Sequence, residues 1–211
     1  MTRRPGPVGG GLTLDDVLDL RAYERVRDDY RARVIALKRN RRVGLGPIMT
    51  LVFECLDTVR FQVQEMARAE KIISDEAMQV ELDIYNRLLP GDRELSATLF
   101  IELTSDDALR DWLPRLVGIE RQIGLWVDGD VVLSSPEAQH AAALTREAVT
   151  PAVHYLRFGF TEDQVAAFED AAEVALLSSH PAYDARTILP PTVREELLGD
   201  LLGTTKSLPI G

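Results

Sequence analysis

The chain has 211 residues, 45% of them hydrophobic and 27% charged, with 24 Lys and Arg against 34 Asp and Glu and a pI near 4.8. Such proportions exclude intrinsic disorder and collagen-like repetition and describe a globular chain of one or two domains. No apolar run approaches the roughly 20 residues of a bilayer span, Met1-Thr2-Arg3-Arg4 leads into Pro5 and glycines rather than an apolar signal core, and a lone Cys55 supplies neither an internal disulfide nor the thiolates of structural zinc or an iron–sulphur cluster. The expectation is a cytoplasmic protein with no cofactor and no membrane association.

Charge is unevenly spread. Residues 1–42 hold 11 basic and 6 acidic side chains, so the rest of the chain is strongly acidic. Lys38, Arg39, Arg41 and Arg42 form a basic knot. No aromatic-interleaved basic face accompanies it, and the overall acidity repels a polyanion. The knot therefore reads as a solvated helix end favoured by the helix dipole, and nucleic acid is not expected as a partner.

Residues 1–12, with Pro5, Pro7 and Gly9-Gly10-Gly11, are expected to form a disordered tail. Thr13 caps a short helical turn. Tyr23, Val26, Tyr30, Val34 and Leu37 then recur at the spacing of a long amphipathic helix ending near Arg42. Gly44-Leu45-Gly46-Pro47 reads as a turn or irregular approach to a central strand over Ile48 to Glu54. Asp57 or Thr58 starts a helix with the apolar stripe Val59, Val63, Met66 and Ile73. Glu70 falls on that stripe and so should have a partner. Ser74-Asp75 opens another helix through Met78, Leu82 and Tyr85.

The second half is richer in strands. Leu95, Ala97, Leu99, Ile101 and Leu103 alternate with more polar residues, a period-two pattern with one face buried. Ser105-Asp106 caps a helix, and Leu125 to Leu133 around Asp128-Gly129-Asp130 is a hairpin. A helix is expected around Ala141 to Ala143 and a strand over Val153 to Phe160. Thr161-Glu162-Asp163-Gln164 is a capping box for a helix through Phe168. Ala175-Leu176-Leu177 reads as a short strand before a polar loop, and Thr192 to Leu202 as a helix after Pro190-Pro191. These elements predict an α+β fold: a single domain over residues 13–186, with a mixed or antiparallel sheet of five to six strands covered by helices and a long amino-terminal helix. Residues 187–211 read as a carboxyl-terminal helix and tail.

Catalytic signatures are sparse. His140, His154 and His180 stand far apart with no HExxH or related spacing, there is no Gly-x-Ser-x-Gly elbow, and Gly44-x-Gly46 follows a helix rather than a strand. Cys55, between a strand and a helix start, reads as a small buried thiol. Arg60, Gln64 and Arg68 fall at four-residue steps with Gln62 and Glu65 beside them, an array of donors able to hold a carboxylate or phosphate, though a solvated helix face has the same pattern.

Several blocks carry a resemblance: Ala36-Leu37-Lys38-Arg39-x-Arg41-Arg42-Val43-x-x-Gly46-Pro47, Phe53-Glu54, Thr58 to Met66 followed by Arg68, Glu70, Lys71 and Ile72, then Glu81-Leu82-x-x-Tyr85-Asn86, Val153-His154-Tyr155-Leu156-Arg157-Phe158 and His180-Pro181-Ala182-Tyr183. From about Leu14 to Tyr183 the chain resembles the bacterial domain-of-unknown-function family 3501. Cys55 departs from the Asn or Asp expected at its position. The resemblance implies association with a rubrerythrin-like diiron protein and an iron–sulphur oxidoreductase, whose genes often neighbour such proteins.

Two functions follow. The first is a non-catalytic accessory or interaction component of that redox system, its acidic surface facing a basic partner. The alternative is an enzyme acting on a small anionic substrate, metal-assisted or not, with Glu54, Glu65, Glu102 and His154 as catalytic groups and Arg60, Gln62, Gln64, Arg68 and Arg157 binding the ligand. Against both stands a structural reading in which Glu54, Glu70, Glu102 and Arg157 form buried ion pairs that fix the fold.

Overall fold

A computed structural model describes residues 10–137 and 148–210, so His140 and the helix expected around Ala141 to Ala143 lie outside the described residues. A 3-10 turn at Leu14–Asp16, with Thr13 and Asp16 exchanging capping hydrogen bonds, leads into α1 (Leu20–Arg39), whose first amides are capped by Asp19. The chain continues through β1 (Arg42–Leu45), β2 (Met49–Phe53), α2 (Leu56–Glu70), α3 (Asp75–Tyr85), β3 (Glu94–Ile101), α4 (Asp106–Arg115), β4 (Ile123–Val127) and β5 (Asp130–Leu133). Then come β6 (Ser135–Pro136), β7 (Val153–Gly159), α5 (Glu162–Asp170), β8 (Val174–His180), β9 (Tyr183–Ile188) and α6 (Pro191–Leu201).

The α+β class stands, and every strand pair is antiparallel, but the strands divide into two sheets rather than one. The first has the order β1-β2-β3-β7-β6 and the second β5-β4-β8-β9. Their inner faces share the principal core: Met49, Leu51 and Phe53 of β2, the odd-numbered residues of β3, and Leu156 and Phe158 of β7 meet Ile123, Leu125 and Leu176 of the second sheet. α6 adds Val193, Leu197 and Leu201 to this core, and β9 runs through residue 186, so 187–201 packs with the rest.

On the outer face of the first sheet, α2 and α3 bury Val59, Val63, Ala67, Met78 and Leu82 with Leu12 of the amino-terminal segment. The layer formed by α1 and α2 closes over a separate cluster of Tyr23, Tyr30 and Val34.

Four local expectations are corrected. Arg42–Leu45 is an edge strand, because Gly46, at φ 61°, turns the chain back as a hairpin onto β2. The expected polar loop after Leu177 is the extension of β8 and the strand β9, whose outward Asp184, Arg186 and Ile188 mask its alternation. β3 is buried on both faces, because α2 and α3 roof its Ser96 and Thr98 side. The buried stripe of α2 runs through Val59, Val63 and Ala67, so Ile73 is exposed and Glu70 sits exposed at the helix end rather than facing a buried partner.

Candidate functional site

The four-residue stripe on α2 exists as expected, but its groups are already engaged. Arg60 is buried; its Nε donates to the Tyr30 hydroxyl at 3.0 Å and its Nη2 to Asp57 Oδ1 at 2.5 Å and to the backbone carbonyl of Leu208 at 2.5 Å. Gln64 reads one backbone residue twice, accepting from Leu18 N–H at 2.6 Å and donating to Leu18 O at 3.1 Å. Arg68 pairs with Glu24 on the surface at 2.6 Å. Glu65 takes a bidentate grip from Arg27 at 2.8 Å and the Tyr23 hydroxyl at 2.8 Å, and the Arg27 hydrogen bond holds its carboxyl below the usual range. This stripe is the seam along which α1 and the chain end are fastened to α2.

Glu54 is the most buried of the candidate acids. It accepts from Thr58 Oγ1 at 2.5 Å, Thr98 Oγ1 at 2.6 Å and Gln62 Nε2 at 3.2 Å, a neutral set rather than an ion pair. Beside it, Tyr155 and Arg157 bound a void of about 10 Å³, the size of a single water. Arg157 pairs with Glu94 and donates to the backbone carbonyls of Arg87 and Leu89, tying β7 to β3 and to the end of α3.

His154 does not join Glu54. It pairs with Leu99 on β3, whereas the Thr98 that holds Glu54 projects from the opposite face. Fully buried, it lies between the sheets with Thr150 Oγ1 at 3.1 Å from Nε2. Glu102 is on the Thr98 face but four residues further along, roughly 13 Å at strand rise, where it is half exposed, accepts from Thr50 at 2.9 Å and pairs with Arg42 at 3.5 Å. The structure therefore brings Gln62 to Glu54 and places Arg157 on the same void, and it leaves Glu65, Glu102 and His154 in three other environments. The reading of Glu54, Glu70, Glu102 and Arg157 as buried ion pairs is likewise corrected: of these, Arg157 alone sits in a partly buried pair.

A wider opening lies elsewhere, a cleft of about 350 Å³ at the amino terminus of α2. Its floor is Cys55, Leu56 and Asp57, with Asp200 of α6 beside them, Asn86 and Arg157 on one side and Thr205 to Ser207 on the other. Three features of this cleft were not singled out in the sequence. Arg41 is not part of a solvated basic knot: it is fully buried, gripping Asp200 through both terminal nitrogens at 2.6 and 2.9 Å and reaching Glu196 at 3.2 Å. Asp57 is buried as well; its Oδ1 faces Arg60 and its Oδ2 accepts from Leu208 N–H at 2.9 Å, while burial pushes its carboxyl up from the ordinary range. The segment after α6, expected to be tail, lays Leu208 and Ile210 against the Tyr30 and Phe61 cluster. Only a polar, Pro-containing ending was visible in the sequence, with no signal of where it docks.

Cys55 is buried at the start of α2, where its backbone N–H donates to Thr58 Oγ1 at 2.9 Å. Burial pushes its thiol up to about 11, so the thiolate needed of a nucleophile is scarce. Among the described residues no group of three or more His, Cys, Asp or Glu side chains is placed to hold a metal ion, and no helix is long and apolar enough to cross a membrane.

The model of a family described as protein of unknown function DUF3501 matches residues 11–201. The chain belongs to this family. Among solved structures it is similar to a novel protein of unknown function from Burkholderia pseudomallei K96243, at 37% identity and a TM-score of 0.85, covering 91% of this chain and 100% of that one. No curated protein matches. The match ends at residue 201, so Asp57, Arg60 and Tyr30 lie inside the DUF3501 region and the segment that docks on them lies beyond it.

Proposed function

We propose that this DUF3501 protein is a non-catalytic, cytoplasmic accessory component that works by docking to partner proteins of a redox system, a rubrerythrin-like diiron protein and an iron–sulphur oxidoreductase. The observation that carries the docking half of this reading is the engagement of the α2 stripe. Arg60, Gln64, Glu65 and Arg68 hold α1, the Leu18 backbone and the chain end. Engaged in this way, Arg60 and Gln64 are buried and hold the fold rather than facing an anionic substrate, and Arg68 is left on the surface paired with Glu24. The identity of the partners rests on the family resemblance. The surface downstream of residue 42 is acidic and suits a basic face on the partner.

Glu54 favours a second reading, an enzyme whose base is this buried carboxylate with Gln62 orienting it. The void beside it has room for a water and not for a substrate, so this reading requires a wall of the void, such as the turn at Arg87 and Leu88, to move.

Affinity purification of the tagged chain from its native host, with mass spectrometry for proteins and metal analysis of the eluate, separates the two. Docking is supported by stoichiometric recovery of the diiron or iron–sulphur protein with iron in proportion to that partner. A bare chain carrying a stoichiometric small anion or metal overturns it.

A further inference from the structure

The chain end is held by a device that recurs in this fold. The N–H of Leu208 goes to Asp57 and its C=O to Arg60, so two side chains read both polar backbone groups of one residue that lies outside any helix or strand. Asn86 does the same to Leu12, accepting from its N–H at 2.7 Å and donating to its carbonyl at 2.9 Å, and Gln64 does it to Leu18. Such a clamp recognises extended backbone whatever its sequence. Selectivity comes from the side chains that follow into the aromatic cluster, Leu208 and Ile210.

We propose that the groove formed by Asp57, Arg60, Tyr30 and Phe61 is a peptide-docking site that the chain's own Leu208-Pro209-Ile210 fills in the free state, and that an extended basic and aliphatic segment of a partner protein replaces it on docking. The inference rests on the docking reading above and names the surface and chemistry of that contact. Its support is threefold. The groove residues lie within the DUF3501 match and their occupant lies outside it. Lys206, two residues before the occupant, borders the cleft at Asp200, where Asp200 and Glu196 share the single Arg41, so a cation shortly before the aliphatic pair suits the one negative charge in excess. Residues 203–207, which connect α6 to the clamp, are exposed, so the tail can leave while α6 stays in the core. Its departure also takes one wall from the cleft over Cys55.

The test uses the full chain and a fluorescent peptide with the sequence of residues 204–211, followed by anisotropy. Leu208→Asp frees the groove, and the peptide should bind this variant at least about tenfold more tightly than it binds the wild-type chain, which must first release its own tail. N-methylation of the peptide's leucine removes the N–H that Asp57 reads and should weaken binding by about tenfold or more, the loss of one hydrogen bond to a charged acceptor. The protein is unaltered in that comparison, so folding does not enter. On the wild-type chain, saturating peptide should speed hydrogen exchange at the chain's own Leu208 amide. If Leu208→Asp melts without cooperativity, Ile210→Asp replaces it, loosening the second anchor.

Equal binding to wild type and variant, no binding to either, or indifference to N-methylation overturns the proposal. Concentration-dependent dimerisation of the wild-type chain that Leu208→Asp abolishes overturns the partner assignment in favour of a second copy's tail. Recovery of the diiron protein by a chain that ignores the peptide refutes the groove and leaves the docking reading intact, and the reverse pattern refutes the named partners alone.

Discussion

Replacing Arg60 by Met tests whether the α2 stripe is a fastening or a ligand site. In the structure this change removes the cation beside Asp57 and leaves the Tyr30 hydroxyl and the Leu208 carbonyl without their donor. Breaking one side of a buried pair costs about 3–5 kcal/mol, most of it the uncompensated charge left behind. At about 2–4 °C per kcal/mol for a domain of this size, the melting temperature should fall by roughly 6–20 °C. Burial already raises the Asp57 pKa, so without Arg60 the carboxyl should take up a proton more readily still. The penalty should therefore shrink as pH falls, because the folded variant binds a proton that the unfolded chain does not. Urea unfolding of wild type, Arg60→Met, Asp57→Asn and the double variant at several pH values measures the coupling. A loss below about 1 kcal/mol with additive single effects refutes the reasoning, and unchanged stability with loss of a bound anion makes Arg60 a ligand-binding residue instead.

Arg41→Met should cost a similar 3–5 kcal/mol in urea unfolding, because Asp200 keeps a buried charge without its cation and with the like-charged Glu196 nearby; a loss within 0.5 kcal/mol of zero, of the order of an ordinary surface substitution, contradicts the burial. Glu65 has a folded-state pKa below its unfolded value, so its contribution is present above about pH 4.5 and is lost as pH falls through the folded pKa; Glu65→Gln should flatten that acid limb of the stability curve, and an unchanged limb argues against it. With a pKa near 11, Cys55 is about one part in a thousand thiolate at pH 8, so Ellman's reagent should react with it only on unfolding, and rapid labelling of the native chain contradicts its placement. Gly46→Ala should destabilise by about 1–3 kcal/mol from the positive φ and a Cβ placed 2.5 Å from the Tyr183 hydroxyl, with thermal melts of Gly46→Ala alone and with Tyr183→Phe separating backbone strain from the clash.

Local chemistry carried much of the fold in the sequence. Asp128 and Gly129, both at positive φ, form the turn between β4 and β5 that an Asp-Gly pair favours, and Thr161 and Gln164 exchange the two bonds of a capping box. The 3.6-residue period located α1 and α2, though it carried α1 on to Arg42 and the α2 stripe on to Ile73, past the ends at Arg39 and Glu70. Period alone identifies a face and not its neighbour. Arg60, Gln64 and Arg68 were therefore legible as a stripe, whereas Glu24, Tyr30 and the Leu18 backbone, which occupy it, were not.

The division into two sheets was hidden for the same reason, since alternation marks a buried face without saying which strand lies opposite. β1 was missed because it is four residues long with Gly44 inside it and Gly46 just after it, and β9 because Asp184 and Arg186 point outward while Ile188 is also exposed. Arg41 and Asp200 are 159 residues apart, and a lone basic residue beside Arg42 carries no mark that it turns inward. The tail is too polar to predict as structured, and its place is set by two backbone hydrogen bonds and by only two apolar side chains, Leu208 and Ile210, too few to make a periodic pattern.

The central claim, that this DUF3501 protein acts by docking, is most directly tested by sedimentation velocity on the purified chain mixed with the purified rubrerythrin-like protein from the same host. The account predicts a defined complex of micromolar affinity or better, tightened when Leu208→Asp releases the groove. Two species that sediment independently at about 100 µM each, ten times or more above that affinity, would contradict it.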